Sequence, residues 1–356
     1  MRIDQLVPAF HRGDAIGDEA FELRQFFRGR GFDSEIYCLT RDPGLESEAR
    51  LFADFPPPSS GDLTFLHFAL PSPLTAALLK VPSKKALIYH NITPPEFFAA
   101  LNPEMSRLSR LGRRELESLQ PQVDLSLADS EYNRLELEKL GFRETHVFPL
   151  YIDFAKYGKA ASPFVFELFR DERVNILFVG RIAPNKKIEN LIKAVFYYKK
   201  YISPLVRLIL VGTTNTFPGY YRSVSRLADE FYLKPEEIQF IGHVPDEEMF
   251  ALYRAADVFL SLSEHEGFCL PLIESMIFDL PVIALASTAV PYTLGGAGIL
   301  VNDSRPDRVA ELVDRVARDA ALRAKLVESG RRELRKFKAF PREEFLLGRI
   351  KDAMGS

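Results

Sequence analysis

Two glutamates, Glu266 and Glu274, are separated by seven residues and follow a short apolar run, Asp257–Leu262. The run is typical of a buried strand of a parallel sheet, and Pro271 suits the first positions of a helix. Because the first N–H groups of a helix have no intrahelical acceptor, a helix that begins here can bind an anion. We place Glu266 in the loop before the helix and Glu274 in its first turn. A phosphate flanked by hydroxyl-rich groups would use all of these parts, and an ordinary βα loop is the alternative.

A second loop offers cations. Val174–Val179 predicts a strand, and it is followed by Gly180, Arg181 and, after a short loop, Lys186. A helix is predicted from Ile188. The guanidinium presents a fork of donors to phosphate oxygens, while the lysine ammonium acts as a mobile point charge. The pattern therefore predicts a cradle for a diphosphate, and two basic residues on an ordinary loop are the alternative.

The first half holds two further candidates. His90 follows an apolar run, and ligands of parallel sheets bind beyond the carboxyl ends of the strands, although a lone histidine can also be structural. The loop His11–Asp18 carries Gly13 and Gly17, which permit close backbone approach to a ligand, and its Asp18 is predicted to cap the next helix. A plain βα turn is the alternative for this loop.

Three arginines, Arg107, Arg110 and Arg114, fall at helical spacing in Met105–Leu119. Such a basic face suits an anionic lipid headgroup or a phosphorylated acceptor. A solvated helix face is the alternative, because acids that could pair with these arginines are close by. They are Glu104, Glu115 and Glu117.

Both halves alternate apolar runs with helical patterns, which predicts an α/β protein with parallel sheets. The predicted strands are Ile3–Val7, Glu35–Leu39, Leu63–His67, Ala86–Tyr89, Asp124–Ala128, Thr145–Phe148, Val174–Val179, Val206–Val211, Ile238–Pro245, Asp257–Leu262, Pro281–Ala284 and Gly298–Val301. The predicted helices include Glu19–Arg30, Met105–Leu119 and further helices that begin near Glu131, Ile188 and Asp246, with helices over Asp307–Met354 broken near Phe340–Pro341. Tyr157–Pro163 is the predicted linker between two domains.

The composition bounds the function. A chain of 356 residues suits two domains with a cleft between them, and the formal net charge of −3 argues against nucleic acid as the main partner. Cys38 and Cys269 show neither disulfide nor metal-ligand spacing, which indicates a reducing cytosol. The first residues lack the apolar region of a signal peptide, and no run reaches membrane-spanning length. We expect a soluble cytoplasmic protein and leave peripheral docking at the inner face of a membrane open.

The order and spacing of four separate pieces resemble the retaining glycosyltransferases of family 4, which have the GT-B fold. The pieces of the second half are Phe178–Arg181 with Lys186, Phe240–Pro245, and Glu266–Phe268 with Glu274. In the first half, Gly13–Gly17 looks like the N-terminal glycine loop of the family, and His90 follows a strand as its sugar-site histidine does. The seven residues between the two acids match the paired-glutamate motif of the family.

The resemblance implies a role for each matched residue. Arg181 and Lys186 would bind the donor diphosphate, and Glu274 would accept hydrogen bonds from the ribose. Glu266 would hold hydroxyls of the donor sugar, and His90 would reach this sugar from the opposite domain. The predicted catalytic set consists of Arg181, Lys186, Glu266 and His90. The other implied donor-binding positions are Gly13, Gly17, Gly180, Gly242, His243, Gly267, Phe268, Cys269 and Leu270.

The family also implies the architecture: two Rossmann-like parallel-sheet domains that face a central cleft. We expect an acceptor-binding domain over 1–160, a nucleotide-sugar-binding domain over 161–338, and a C-terminal helix over 339–356 that packs back toward the first domain. Breaking a glycosyl phosphate bond builds negative charge on the leaving diphosphate, which fixed cations and helix N–H groups stabilise. With no Asp-x-Asp motif, we expect no metal and no cofactor.

Two positions depart from the usual pattern. Lys187 stands where a glycine commonly follows the lysine, and Tyr292 where many members have a glutamate, so the identity of the donor stays open. His90–Pro94 looks like the segment of bacterial polysaccharide and O-antigen enzymes, many of which transfer mannose. We therefore expect transfer of a hexose, mannose from GDP-mannose or another sugar from a UDP-sugar, to a saccharide or lipid-linked acceptor.

Other functions were weighed against this one. A glycoside hydrolase needs two acids across the scissile bond, whereas the resemblance places Glu274 at the nucleotide. An epimerase or a phosphorylase on the same fold, or a catalytically silent subunit that binds the nucleotide sugar, are the alternatives. A silent subunit could lose the sugar-site groups, and the presence of both His90 and Glu266 favours the enzyme.

Overall fold

The computed structural model describes residues 1–355 and divides into two compact units. Unit 1 comprises Met1–Glu96, Glu104–Asp153 and the chain from Pro341 onward, and unit 2 comprises Phe97–Pro103 and Phe154–Phe340. Each unit is built on one parallel sheet covered by helices, so the predicted α/β class with two Rossmann-like domains is confirmed. Among residues 1–355, none of the helices combines the length and the apolar character that crossing a membrane requires.

The sheet of unit 1 has seven parallel strands in the order β3-β2-β1-β4-β5-β6-β7. The strands are β1 Ile3–Phe10, β2 Ile36–Arg41, β3 Arg50–Leu51, β4 Leu63–Phe68, β5 Lys84–Tyr89, β6 Leu125–Ala128 and β7 Thr145–Val147. The central strand β4 is buried along its whole length, as expected of a parallel strand covered on both faces, and it carries two buried polar residues, Thr64 and His67. The two-residue edge strand β3 was not predicted, because it is too short to show any periodicity.

The first helices of unit 1 are α1 Ala15–Gly29, α2 Pro73–Leu78, α3 Pro103–Leu119 and α4 Glu131–Lys139. The predicted start of α1 at Glu19 with Asp18 as its cap is wrong. Asp14 caps the helix by accepting a hydrogen bond from the Ile16 N–H, and Asp18 reaches back to the Gly13 N–H at 3.1 Å. The cap therefore lies four residues earlier than the apolar pattern suggested.

The sheet of unit 2 has six parallel strands in the order β10-β9-β8-β11-β12-β13. They are β8 Val174–Val179, β9 Val206–Val211, β10 Ile238–Gly242, β11 Val258–Ser261, β12 Val282–Leu285 and β13 Ile299–Val301. The chain builds outward from β8 in one direction and then from β11 in the other. The order of strands therefore reverses between β8 and β11, which are neighbours.

The helices of unit 2 are α5 Pro163–Leu168, α6 Ile188–Tyr201, α7 Pro218–Glu230, α8 Asp246–Ala255, α9 Leu270–Ile277, α10 Val290–Leu294, α11 Pro306–Arg318 and α12 Ala320–Ala339. α6 and α8 begin at the predicted residues. The helix α13 Arg342–Gly355 follows the predicted break at Phe340–Pro341 and belongs to unit 1, where Phe345 lies parallel to Phe148 with ring centroids 6.4 Å apart.

Candidate functional site

The reversal of strand order between β8 and β11 marks where a ligand would bind in unit 2. In open α/β sheets the crevice beyond the carboxyl ends of the strands opens at such a switch point. The loop after β8 holds Gly180–Lys187, and the loop after β11 holds Leu262–Cys269. The predicted cation loop and the predicted glutamate loop therefore flank the same crevice.

Lys186 and Glu266 form an ion pair at this point. The Lys186 Nζ lies 2.6 Å from Oε1 and 2.7 Å from Oε2 of Glu266. The side chains are 17% and 7% exposed, so the pair is largely shielded from water. The lysine is thus held in the crevice by both oxygens of one carboxylate. A phosphate that binds to this lysine must displace the carboxylate from it.

Backbone hydrogen bonds hold the Glu266 loop in place. The Glu266 N–H donates to the Thr288 Oγ1 at 2.8 Å, and the Thr288 hydroxyl donates to the Glu266 carbonyl at 2.9 Å. From the cation loop, the Asn185 side chain donates to the His265 carbonyl at 3.0 Å, and the backbone carbonyl of Asn185 accepts from the Glu264 N–H at 2.9 Å. The two loops are therefore joined directly, which fixes the position of the Glu266 carboxylate.

Glu274 lies in the second turn of α9, so its predicted place in the first turn is wrong. Leu270 is the first helical residue, which makes Glu274 the fifth. Its Oε1 accepts from the Tyr157 hydroxyl at 2.9 Å, and its Oε2 accepts from the Tyr253 hydroxyl at 2.8 Å. Burial and the adjacent carboxylate raise the pKa of Tyr253, which keeps this hydroxyl protonated as a donor. The carboxylate is held at both oxygens and has remaining lone pairs for a ligand.

The N-terminus of α9 is shaped by an uncommon backbone conformation. Cys269 precedes the helix with φ +71°, in the left-handed region that side chains other than glycine rarely adopt. Phe268 and Cys269 are both buried, whereas Gly267 and Leu270 are partly exposed. Burial raises the pKa of the Cys269 thiol, which is therefore neutral and not a nucleophile.

Glycines let the neighbouring loops pack backbone to backbone. A Cβ on Gly212, at the end of β9, would lie 2.1 Å from the Gly180 carbonyl oxygen. The Gly212 N–H in turn donates to the Gly242 carbonyl at 2.8 Å. Arg181 and His243, which follow two of these glycines, are exposed. The loops beyond β8, β9 and β10 thus lie close together at one edge of the sheet.

Lys187 occupies the position where the family commonly has glycine. Its φ is +52°, in the left-handed region, directly before α6. The backbone thus keeps the conformation that glycine favours, and Lys187 adopts it with a side chain. Its ammonium lies 3.2 Å from a carboxylate oxygen of Glu264. The other departing residue, Tyr292, lies in α10 and is exposed.

The glycine loop of unit 1 differs from its predicted form. Gly13 is exposed with φ +83°, but Gly17 lies inside the first turn of α1 and not in the loop. A Cβ on Gly17 would lie 1.9 Å from the His11 carbonyl oxygen. The local packing of this chain therefore already requires glycine at position 17.

The His90 side chain is enclosed within unit 1. Its Nδ1 lies 3.0 Å from Oδ2 of Asp129, its Nε2 lies 3.0 Å from Nδ1 of His67, and the side chain is 4% exposed. Burial lowers the pKa of His90, but the carboxylates of Asp129 and Glu19 outweigh it and raise the pKa to about 9. With both ring nitrogens engaged, the predicted contact of His90 with the sugar stays a prediction.

The three arginines of α3 are exposed, as a basic face requires. Arg107 lies 2.7 Å from Glu104, and Arg110 donates to the Ser106 hydroxyl at 3.1 Å. Glu115, one of the acids considered as a partner, instead accepts hydrogen bonds from the start of α2. The predicted contact of Arg107, Arg110 and Arg114 with a lipid or acceptor stays a prediction.

Sequence reasoning missed the groups that hold the two acids. Tyr253 lies on α8, before the motif, and Tyr157 lies in the predicted linker although it is buried. Thr288 follows β12. Only Asn185 carried a local signal, since it stands directly before Lys186 in the cation loop.

Residues 160–333 match the family model described as glycosyl transferases group 1. Over 134 residues the chain is 31% identical to the O-antigen chain mannosyltransferase B of Escherichia coli, an alignment that covers 38% of this chain and 34% of that protein. It is 30% identical over 168 residues to the D-inositol 3-phosphate glycosyltransferase of Corynebacterium glutamicum, covering 46% of this chain and 39% of that protein. The chain thus matches only about a third of the length of these curated relatives.

Solved glycosyltransferases share the fold over the whole chain. Anabaena HepE, in complex with UDP and glucose, aligns with a TM-score of 0.74 and 17% identity, covering 98% of this chain and 99% of that one. Sucrose-phosphate synthase from Thermosynechococcus elongatus aligns with a TM-score of 0.76 and 18% identity, covering 99% and 98%. These neighbours have the GT-B fold, which confirms the predicted fold class.

Proposed function

We propose that this chain, which carries a glycosyl transferases group 1 domain in a GT-B fold, transfers a hexose from a nucleotide diphosphate sugar to an acceptor. One observation carries the proposal. The Lys186–Glu266 pair lies at the switch point of the unit 2 sheet, beside the amides at the start of α9. A cation, a carboxylate and a helix N-terminus are the groups that a diphosphate joined to a sugar requires.

Each group has a defined task in the proposed reaction. Lys186, Arg181 and the first amides of α9 stabilise the negative charge that builds on the leaving diphosphate. Glu266 accepts hydrogen bonds from hydroxyls of the sugar, and Glu274, fixed by Tyr157, accepts them from the ribose. The Glu274 carboxylate is already held in place by two neighbouring hydroxyls, whereas Lys186 must leave its pair with Glu266 when the phosphate binds.

The donor and acceptor are finer parts of the same proposal. The likeness to an O-antigen mannosyltransferase supports mannose from GDP-mannose, while the UDP in the HepE structure makes a UDP-sugar the second choice. The acceptor is a saccharide or a lipid-linked saccharide of a bacterial surface polysaccharide. Retention of configuration, independence of added metal and cofactor, and a cytoplasmic location with peripheral membrane contact through α3 belong to this proposal too.

A panel of nucleotide sugars tests the proposal. Slow donor hydrolysis and thermal stabilisation are measured with GDP-mannose and UDP-sugars, with no Mg²⁺ or Mn²⁺ added. Arg181→Ala should weaken binding of the responding donor, whereas Arg335→Ala, an exposed arginine on α12 paired with Glu328, should not. If no nucleotide sugar stabilises the chain, or if both variants bind the donor like the wild type, the site is wrong.

A catalytically silent nucleotide-sugar-binding subunit is the second candidate. It is favoured by the enclosed His90 side chain, whose ring nitrogens are both engaged within unit 1. Such a subunit would bind the donor with the same dependence on Arg181 but would neither hydrolyse it nor transfer the sugar. NMR of the anomeric proton of any product decides between the two and reports whether configuration is retained.

A further inference from the structure

A short segment from the first half of the chain is part of unit 2. The chain leaves unit 1 after Glu96, contributes Phe97–Pro103 to unit 2 and returns to unit 1 at Glu104. The segment lies outside residues 160–333, which match the family model, so the match assigns no role to it. Its two neighbouring aromatic side chains show which parts of unit 2 it contacts.

Phe98 anchors the segment to the loop after β9. Its ring lies nearly parallel to that of Phe217, 8° apart, with the centroids 5.1 Å apart. Phe98 and Phe217 are both buried, so the pair belongs to the core of unit 2. The N–H groups of Leu101 and Asn102 donate to the Phe98 carbonyl at 3.0 Å and 2.7 Å, which closes the segment into a tight turn. The segment is therefore an ordered part of unit 2.

Phe97 contacts the glutamate loop, which follows β11. The centroid of its ring lies 6.0 Å from that of His265, and the two rings are tilted by 53°. His265 is 3% exposed and directly precedes Glu266. Because β8 lies between β9 and β11 in the sheet, Phe97 and Phe98 reach the loops on both sides of β8, across about 10 Å. The cation loop, which follows β8, begins between those two loops.

His265 is thus held at two points. Its carbonyl accepts the hydrogen bond of the Asn185 side chain at 3.0 Å, and its ring packs against Phe97. These contacts become important when a ligand binds, because the phosphate must displace the Glu266 carboxylate from Lys186. Glu266 then loses its ion pair, and its position depends on the loop that carries it.

We infer that Phe97 is a positioning residue for Glu266 and acts through the ring of His265. The inference rests on the proposed function, in which Glu266 accepts hydrogen bonds from hydroxyls of the donor sugar. Removing the Phe97 ring leaves a cavity beside His265, and the loop relaxes into it. The Glu266 carboxylate then binds the sugar less well, whereas Lys186 and Arg181 still bind the diphosphate. Loss of the ring therefore affects a nucleotide sugar more than the free nucleoside diphosphate.

Isothermal titration with a nucleotide sugar and with its free diphosphate tests this role. The two ligand pairs are GDP-mannose with GDP and UDP-glucose with UDP. Phe97→Ala should weaken binding of the responding nucleotide sugar about 3- to 10-fold, the range that one aromatic contact supplies. Binding of the diphosphate should stay within about twofold of the wild type, because Phe97 contacts none of its partners. Phe97→Tyr, which keeps the ring, and Phe164→Ala, which removes a phenylalanine of unit 2 that is 73% exposed, should bind both ligands like the wild type.

A double-mutant cycle separates this contact from a general loss of stability. His265→Ala should weaken the nucleotide sugar by a similar factor. The variant with both changes should lose no more affinity than the more affected single variant, because both substitutions remove the same contact. Losses that multiply would overturn the inference. Equal weakening of the nucleotide sugar and the free diphosphate in Phe97→Ala would overturn it too.

The outcomes distinguish this inference from the proposed function. A wild-type chain that binds none of the four ligands overturns both. Nucleotide-sugar binding that falls in Arg181→Ala but not in Phe97→Ala overturns this inference alone. Circular dichroism shows whether each variant is folded. If Phe97→Ala is unfolded, Phe97→Leu, which keeps much of the apolar volume but not the ring, takes its place with the same expected result.

Discussion

Replacing Glu266 by glutamine is expected to tighten the binding of a free nucleoside diphosphate. In the ligand-free chain both carboxylate oxygens contact the Lys186 ammonium, at 2.6 Å and 2.7 Å. A diphosphate that approaches this ammonium also approaches the carboxylate and is repelled by it. Glutamine removes the negative charge and keeps the size of the side chain, so Lys186 becomes available to the phosphate.

The magnitude follows from Coulomb's law. Two like charges ~5 Å apart interact by roughly 3 kcal/mol at an effective dielectric constant of 20. Lys186 is 17% exposed, and salt screens part of this repulsion. We therefore expect a gain of ~1–2 kcal/mol, which corresponds to roughly 5- to 30-fold tighter binding of the diphosphate. A sugar-bearing donor should gain less, because it loses the hydrogen bonds that Glu266 would accept from its hydroxyls.

Isothermal titration with UDP and GDP measures the effect. The matched control is Glu264→Gln, which removes a carboxylate two residues away that pairs with Lys187 at 3.2 Å and is 43% exposed. Its affinity for the diphosphate should stay within about twofold of the wild type, because an exposed pair contributes little. The reasoning is refuted if Glu266→Gln binds the diphosphate no more tightly than Glu264→Gln does.

Three further predictions concern folding and the donor site. Gly17→Ala should lower the free energy of unfolding, measured by urea titration, by about 1–3 kcal/mol, because the new Cβ would clash with the His11 carbonyl oxygen. Gly29→Ala in the same helix is the control: its Cβ would meet no atom within 4 Å, so the free energy of unfolding should not fall. Tyr157→Phe removes the hydrogen bond that the Tyr157 hydroxyl donates to Glu274, which contributes ~1 kcal/mol, so it should weaken donor binding about fivefold. Titration with the donor measures this, and an unchanged affinity would contradict it. Burial raises the pKa of Glu19 to about 8, and nearby carboxylates raise that of His90 to about 9 against burial. The folded chain keeps the Glu19 proton between about pH 4.5 and 8 and the His90 proton between about pH 6.5 and 9, where the unfolded chain has lost them. Stability should therefore fall from pH ~4.5 to 9 in urea unfolding, and a constant or rising stability would contradict this.

The strands and most helix starts could be predicted from the sequence, because their signals are local. β8 is an apolar run broken only by Asn175. The helix α4 begins directly after Ser130, whose hydroxyl accepts the hydrogen bond of the Asn133 N–H at 3.2 Å. Before α1 the apolar pattern indicated Asp18 as the cap, whereas the structure has Asp14 in this place. The choice depends on where the chain leaves β1, which the sheet determines.

For the site, the resemblance identified Lys186 and Glu266 as residues of one pocket, and the structure brings them into contact. It could not show that Tyr157 and Tyr253 hold Glu274, because these hydroxyl donors lie far from Glu274 in the chain and are not part of its sequence motif. Nor could it show that the His90 side chain is enclosed.

The sequence by itself determined the two parallel-sheet units and the loops that follow their strands, since periodicity and caps act over a few residues. Only the tertiary structure decided which polar groups meet. Lys186 and Glu266 are 80 residues apart in the chain, and His67 and Gln5 are 62 apart. Such partners are selected by the packing of β8 against β11 and of β1 against β4, because a buried polar group must find its partner among the neighbours that the sheet order supplies.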